Sequence, residues 1–209
     1  MIKVHHLDQS RCTRVLWFLE ELGLDYEAVT YVRDPETRLA PPELKKVHPL
    51  GKSPVIEDGD LLIAESGAIM EYLTETYGAD EFMPAADSGD YWRYKHFLHF
   101  AEGSAMLPLM LFMYTNRLGD AGKPLHERIF SEIDNHFSYL NAELEGRDFL
   151  VGGSLTGADV QNAYLLENPY AMGLLEQYLN LKRYVETMHE RPAYKRAVGK
   201  GGSPVFRAR

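Results

Sequence analysis

The chain carries one cysteine, Cys12, in 209 residues, and that scarcity excludes an internal disulfide. It lacks a long apolar run at its start. MIKVHHLDQS enters a strand pattern directly, without the hydrophobic stretch that a signal peptide or a membrane span requires, so a cytoplasmic location and no membrane partner are expected. It also lacks a basic cluster of useful size. With 22 Lys and Arg against 31 Asp and Glu the formal charge is −9, which opposes the phosphate neutralisation that nucleic-acid binding needs. The nearest basic stretch, Arg191 to Arg196, reads as a solvated helix face. Low-complexity tracts and internal repeats are missing too. His5, His6, His96 and His99 have no Cys or carboxylate at metal-ligand spacing, so no metal is inferred.

What is present is a chain of 45% hydrophobic residues, enough to bury one large core or two small ones. Ile2 to Leu7 reads as a strand. Thr13 to Leu24 has apolar residues at 15, 18, 19 and 22, the stripe of a helix, ended by Gly23. Tyr26 to Tyr31 is a second strand, followed by a polar stretch from Arg33 to Pro42 and a short helix before His48. Pro54 to Asp58 and Leu61 to Ile63 flank Asp58-Gly59-Asp60, a hairpin signal, and Glu65 to Tyr77 is a helix. A βαβ unit followed by a hairpin and a helix predicts an α/β thioredoxin-like domain over residues 1–80.

After Gly78 the periodicity lapses, and from residue 88 to 209 the pattern is helical, predicting a second, all-α domain. Tyr91 to Arg117 is a long helix that Pro108 should kink. Further helices run over Leu125 to Leu144, Gly157 to Glu167, Leu179 to His189 and Pro192 to Val198, and the tail GKGGSPVFRAR reads as extended or frayed. Thr156 and Asp159 have the spacing of a capping box. Met106, Met110 and Met113 share one helix face, as either core or the lining of an adaptable apolar pocket.

Two segments carry chemistry. SRCTR, Ser10 to Arg14, places a hydroxyl and a thiol where a strand hands over to a helix, and a helix N-terminus favours a nearby anion. Ser10 is either a plain helix cap or a donor to such an anion; the two roles overlap only partly, since a cap uses the oxygen lone pairs and a donor uses the proton. Cys12 is either a small buried residue or a thiol of lowered pKa beside Arg11 and Arg14 that forms mixed disulfides. In the second segment, GKSPVIEDGDLLIAES, a cis bond before Pro54 would expose the Ser53 backbone for strand-like pairing with an extended ligand. Ser66 at the next helix start suits a carboxylate and Glu65 an ammonium, although each alone reads as a helix-end residue.

Together, SRCTRVLWFLEELGLDYE and HPLGKSPVIEDGDLLIAESGAIMEYL resemble the glutathione-binding half of the cytosolic glutathione S-transferases, nearest to fungal and bacterial serine-type members. The resemblance reaches residue 200 through SLTGADVQNAY and LKRYVETMHERPAYKRAV. It implies glutathione as co-substrate, Ser10 as the activating residue, and Lys52, Ser53, Pro54, Glu65 and Ser66 as its binding residues. Many members carry Val where Ser53 stands, but the implied contact is through backbone. The resemblance further implies a small apolar electrophile bound beside the long helix, a homodimer, and Glu102 reaching the neighbouring subunit's γ-glutamyl ammonium. Lowering a thiol pKa from roughly 8.5 by two units takes roughly 2.7 kcal/mol. A hydrogen bond to a charged group contributes roughly 1.5–3 kcal/mol, so one serine suffices. A Cys12-dependent thiol-disulfide oxidoreductase and a non-catalytic protein of the same fold are the rival readings.

Overall fold

The computed structural model describes residues 1–202, apart from the side chains at 79 and 80; the expectation for the tail from 203 onward lies outside the described residues. The chain forms two compact units, residues 1–85 together with those from 188 onward, and residues 86–187.

In the first unit, β1 (Ile2–Leu7), α1 (Cys12–Glu21) and β2 (Tyr26–Tyr31) form the βαβ element, with the two strands parallel from Ile2↔Tyr26 to Leu7↔Tyr31. After α2 (Leu44–Val47), the hairpin of β3 (Val55–Asp58) and β4 (Leu61–Ala64) joins β1 antiparallel, which gives a mixed sheet of order β2-β1-β3-β4. Gly59 opens the hairpin turn at φ 58°, a conformation that costs glycine little. Helices α3 (Ser66–Tyr77) and α4 (Ala79–Phe82) follow. This is the thioredoxin-like layer that the element order predicts.

The apolar stripe understates α1, in which every residue from Cys12 to Leu19 is buried. The cause is that β1, α3 and a distant helix, α10 (Pro192–Gly201), all pack against it. Sequence reading carries the helical domain through to 209 and makes Arg191 to Arg196 a solvated face; the segment groups with the first unit, while Lys195 and Arg196 do stand exposed. Buried Ala193 and Ala197 and a set of ion pairs tie it there. Arg191 grips Glu21 with Nε and Nη2 at 2.6 and 2.8 Å, Arg196 Nε meets Glu20 at 2.6 Å, and Lys200 Nζ reaches Glu20 at 2.5 Å. Trp17 donates to Glu21 at 2.7 Å, and its ring meets Tyr194 edge-on at 5.2 Å.

Burial pushes the Glu20 carboxyl upward, but hydrogen bonds from Lys200, Arg196 and Tyr26 outweigh it and hold the group below the ordinary glutamate range. A depressed carboxylate contributes stability above its unfolded pKa of about 4.3 and loses it as pH falls through the folded value. Glu20→Gln is therefore expected to cost about 1 kcal/mol at pH 7, as a networked ion pair does, and less as the pH drops below 4. Urea titrations at both pH values check this; an equal cost at both would show that the carboxylate charge is not what holds α10.

The second unit is helical. In α5 (Asp90–Phe100), the π-helical turn Ala101–Ala105 and α6 (Met106–Asn116), the chain runs on without a loop. The expected disturbance falls ahead of Pro108 and not at it. Proline has no N–H for the carbonyl four residues back and its ring crowds that carbonyl, and the turn before it is widened so that Met106 N–H donates to Ala101 C=O. By length and composition alone, Asp90–Asn116 is long and apolar enough to cross a membrane, and 33% of its most apolar window is buried.

A 3₁₀ stretch (Gly119–Leu125), α7 (His126–Glu143), α8 (Gly157–Ala171) and α9 (Leu179–Glu190) follow. Residues 157–167 of α8 are all buried, including polar ones; Asn162 Nδ2 donates to Phe97 O and Ala158 O, both at 2.8 Å. The capping box is present at its start: Asp159 Oδ2 accepts Thr156 N–H at 2.9 Å and the Thr156 hydroxyl at 2.8 Å.

Candidate active site

The strand registers bring the chemical segments to one end of the sheet. His5 pairs with Val55 and Val55 with Ala64, so the end of β1, the start of β3 and the end of β4 lie side by side. Ser10 follows the first, Ser53-Pro54 precedes the second, and Glu65-Ser66 follows the third.

Ser10 is buried, with 6% exposure. Its Oγ accepts the Cys12 N–H at 3.2 Å, and its carbonyl accepts Thr13 N–H at 3.3 Å, so it takes up N–H groups at the start of α1 from the position before the N-cap, Arg11. Neither bond uses the hydroxyl proton. The Cys12 N–H occupies a lone pair, and among the described residues the hydroxyl donates to no acceptor, which leaves its proton for a ligand. Gln9, just before it, has φ 48°. A side chain in that left-handed region costs about 1–2 kcal/mol.

Cys12 does not have the lowered pKa that its neighbours Arg11 and Arg14 suggest. It is fully buried, its Sγ lies 3.8 Å from His5 O, and burial pushes the thiol up to about 12 despite the Ser53 hydroxyl and the charge of Arg14. A buried protonated thiol is neither a nucleophile nor a disulfide partner. We expect the native protein to resist both iodoacetamide and oxidised glutathione at Cys12, and the urea-unfolded chain to react. Intact-mass analysis reads this directly; rapid labelling of the folded protein would revive the oxidoreductase reading.

The Ser53-Pro54 peptide bond is cis. The Ser53 hydroxyl donates to His5 O at 2.8 Å and accepts Leu7 N–H at 3.1 Å, so the side chain takes the ladder position beyond Val55 that its backbone leaves. Serine in place of valine thus closes the end of β1. Among the described residues, the Ser53 N–H and C=O make no backbone hydrogen bond, and they are free to pair with an extended ligand. Pro54 is buried and Lys52 exposed.

Glu65 is exposed at φ 71°, a strained position for a residue other than glycine. Its carbonyl starts α3 by accepting Ile69 N–H at 2.9 Å. Ser66, 5% exposed, is the first helical residue. A helix start leaves N–H groups without intrahelical partners, which favours a nearby anion. Glu102 stands on the π-helical turn of the second unit. On α6, Met106 is buried while Met110 and Met113 are half-buried. Among the described residues no cluster of His, Cys, Asp or Glu is arranged to hold a metal.

The described residues thus form a thioredoxin-like layer, with a cis bond before Pro54 and a serine at the entrance to α1, and a separate helical unit. Residues 1–75 match the family model "Glutathione S-transferase, N-terminal domain" and residues 68–192 match "Glutathione S-transferase, C-terminal domain". The chain belongs to the glutathione S-transferase family. It is 32% identical to Glutathione S-transferase 1 of Saccharomyces cerevisiae, over 93% of this chain and 92% of that protein. A solved glutathione S-transferase from Actinobacillus pleuropneumoniae superposes with a TM-score of 0.87 at 36% identity, over 97% of this chain and 94% of that one. A sphingomonad glutathione S-transferase solved in complex with glutathione gives a TM-score of 0.78 at 25% identity, over 96% and 98%.

Proposed function

We propose that this chain binds glutathione along the β1, β3 and α3 edge and that Ser10 donates its hydroxyl proton to the glutathione sulfur, holding it as a thiolate. The observation that carries this reading is the Ser10 hydroxyl, whose oxygen is engaged by Cys12 N–H while its proton has no acceptor among the described residues. Ser53 pairs with the cysteinyl backbone of glutathione, and Lys52 supplies a cation beside it. The α3 N-terminus with Ser66 takes the γ-glutamyl carboxylate, and Glu65 takes the ammonium. The thiolate attacks an apolar electrophile, forming the carbon–sulfur bond as the leaving group departs with its electron pair. With a hydroperoxide, the thiolate takes the terminal oxygen and releases the alkoxide, which is protonated to the alcohol; a second glutathione converts the sulfenic acid to disulfide and water.

The protein acts in the cytoplasm as a homodimer, in which exposed apolar residues of the second unit such as Leu107, Leu111 and Tyr114 meet the electrophile or the partner subunit, and Glu102 approaches the partner's bound glutathione.

The test is an ultraviolet difference titration of glutathione into the protein at neutral pH. A saturable thiolate band supports activation, and its absence at saturating glutathione overturns it. Ser66→Ala is expected to raise the glutathione KM about tenfold, the loss of one charge-assisted hydrogen bond, with kcat changed little. A kcat loss at constant KM would remove Ser66 from the binding role.

A further inference from the structure

The turn before Ser10 is held by an arginine that donates to three main-chain carbonyls. Arg33, two residues beyond β2, donates from Nε to Asp8 O, from Nη2 to Gln9 O and from Nη1 to Arg38 O, each at 3.0 Å. Its amide donates to Asp8 Oδ1 at 2.9 Å, so Asp8 is gripped through backbone and side chain alike. Asp8 N–H, bonded to Tyr31 O at 3.1 Å, is the rung on which the ladder of β1 and β2 ends. Beyond that rung, Arg33 replaces strand pairing.

The anchor is itself fixed. The 34–39 turn is closed by Arg38 N–H on Asp34 O at 2.9 Å and Asp34 N–H on Leu39 O at 3.0 Å, with the Asp34 carboxylate accepting Thr37 N–H at 2.7 Å. From this turn the Arg38 guanidinium also reaches the Gln9 side-chain oxygen. Gln9 is the left-handed residue on whose φ the direction of the next residue, Ser10, depends. An isolated chain leaves that conformation readily. The geometry points to Arg33 as a positioning residue for the transferase reaction: it holds Gln9 in its left-handed turn and so aims the Ser10 hydroxyl at the thiol. This rests on the reading of Ser10 as the thiolate donor. Lysine, a point charge on a flexible stem, cannot reproduce the three-carbonyl grip.

The experiment measures the thiol pKa of bound glutathione by thiolate absorbance, with kcat and KM, in Arg33→Lys and Arg33→Ala, each alone and combined with Ser10→Ala. Arg33→Lys keeps the charge and tends to the fold, and carries the same readouts if Arg33→Ala is poorly folded. Expected for both is a raised thiol pKa and a kcat lower by about ten- to a hundredfold, the effect of a small misplacement, with the glutathione KM within about twofold. In the Ser10→Ala background neither substitution should add anything. An unchanged thiol pKa in Arg33→Lys, where Ser10→Ala raises it, overturns the positioning role and leaves Ser10 standing. A shift as large without the serine also overturns it, because Arg33 then acts through its field. If Ser10→Ala alone is silent, the serine reading falls first and the proposal with it.

Discussion

Ser10→Ala is expected to lower kcat/KM by about ten- to 150-fold and to raise the pKa of bound glutathione by about one to two pH units. The range follows from a hydrogen bond to a charged group, about 1.5–3 kcal/mol, at about 1.36 kcal/mol per decade. The loss should lie in kcat, because the peptide-like contacts of Ser53 and the α3 terminus are untouched. The same substitution removes the acceptor for Cys12 N–H, which costs about 1 kcal/mol of stability as other lost caps do. That loss leaves the folded fraction near unity in a domain of ordinary stability. Ser10→Thr keeps the hydroxyl and should restore much of the rate. A Ser10→Ala enzyme of full activity with an electrophile whose chemistry is rate-limiting would mean that the thiol is activated by the α1 terminus alone.

Asp159→Ala should have the largest effect on stability, about 3 kcal/mol or more. The carboxylate is fully buried and accepts four donors: Leu150 N–H at 2.8 Å, Thr156 N–H at 2.9 Å, the Thr156 hydroxyl at 2.8 Å and the Tyr184 hydroxyl at 3.0 Å. Burial pushes the Asp159 carboxyl up and offsets part of what these bonds contribute, but the donors left buried without a partner each add about 1–3 kcal/mol. One side chain thus fixes the start of α8, the segment before it and α9 together. Denaturant unfolding measures the loss, and a value under about 1 kcal/mol would mean that water has replaced the carboxylate. Turnover per folded molecule should stay near that of the wild type, since Asp159 belongs to the scaffold.

The strands, the hairpin and the helix starts after Ser10 and at Ser66 were legible in the sequence because each is written locally, in alternating residues, a glycine turn or a helix start. What escaped depends on partners far along the chain. Arg191 and Arg196 look solvated among their neighbours, yet their carboxylates are on α1, 170 and 176 residues away. For Cys12 the sequence left two readings open, a small buried residue and a thiol activated by a local rule about helix termini and basic neighbours, and burial decides for the first. That rule cannot see that β1, α3 and α10 all cover the helix. Arg33 and Gln9 gave no signal, since a three-carbonyl grip leaves no motif and a left-handed glutamine has no signature of its own.

The docking of α10 against α1 sets an order on synthesis. The thioredoxin-like layer is encoded first, but one side of its helix α1 is covered only by a segment made last. Until the ribosome has delivered some hundred intervening residues, Trp17 and the α1 surface facing α10 wait uncovered, and closing so long a loop is slow. A nascent chain halted before residue 188 therefore presents an adhesive, unfinished domain, and chaperone demand should fall when the final helix emerges.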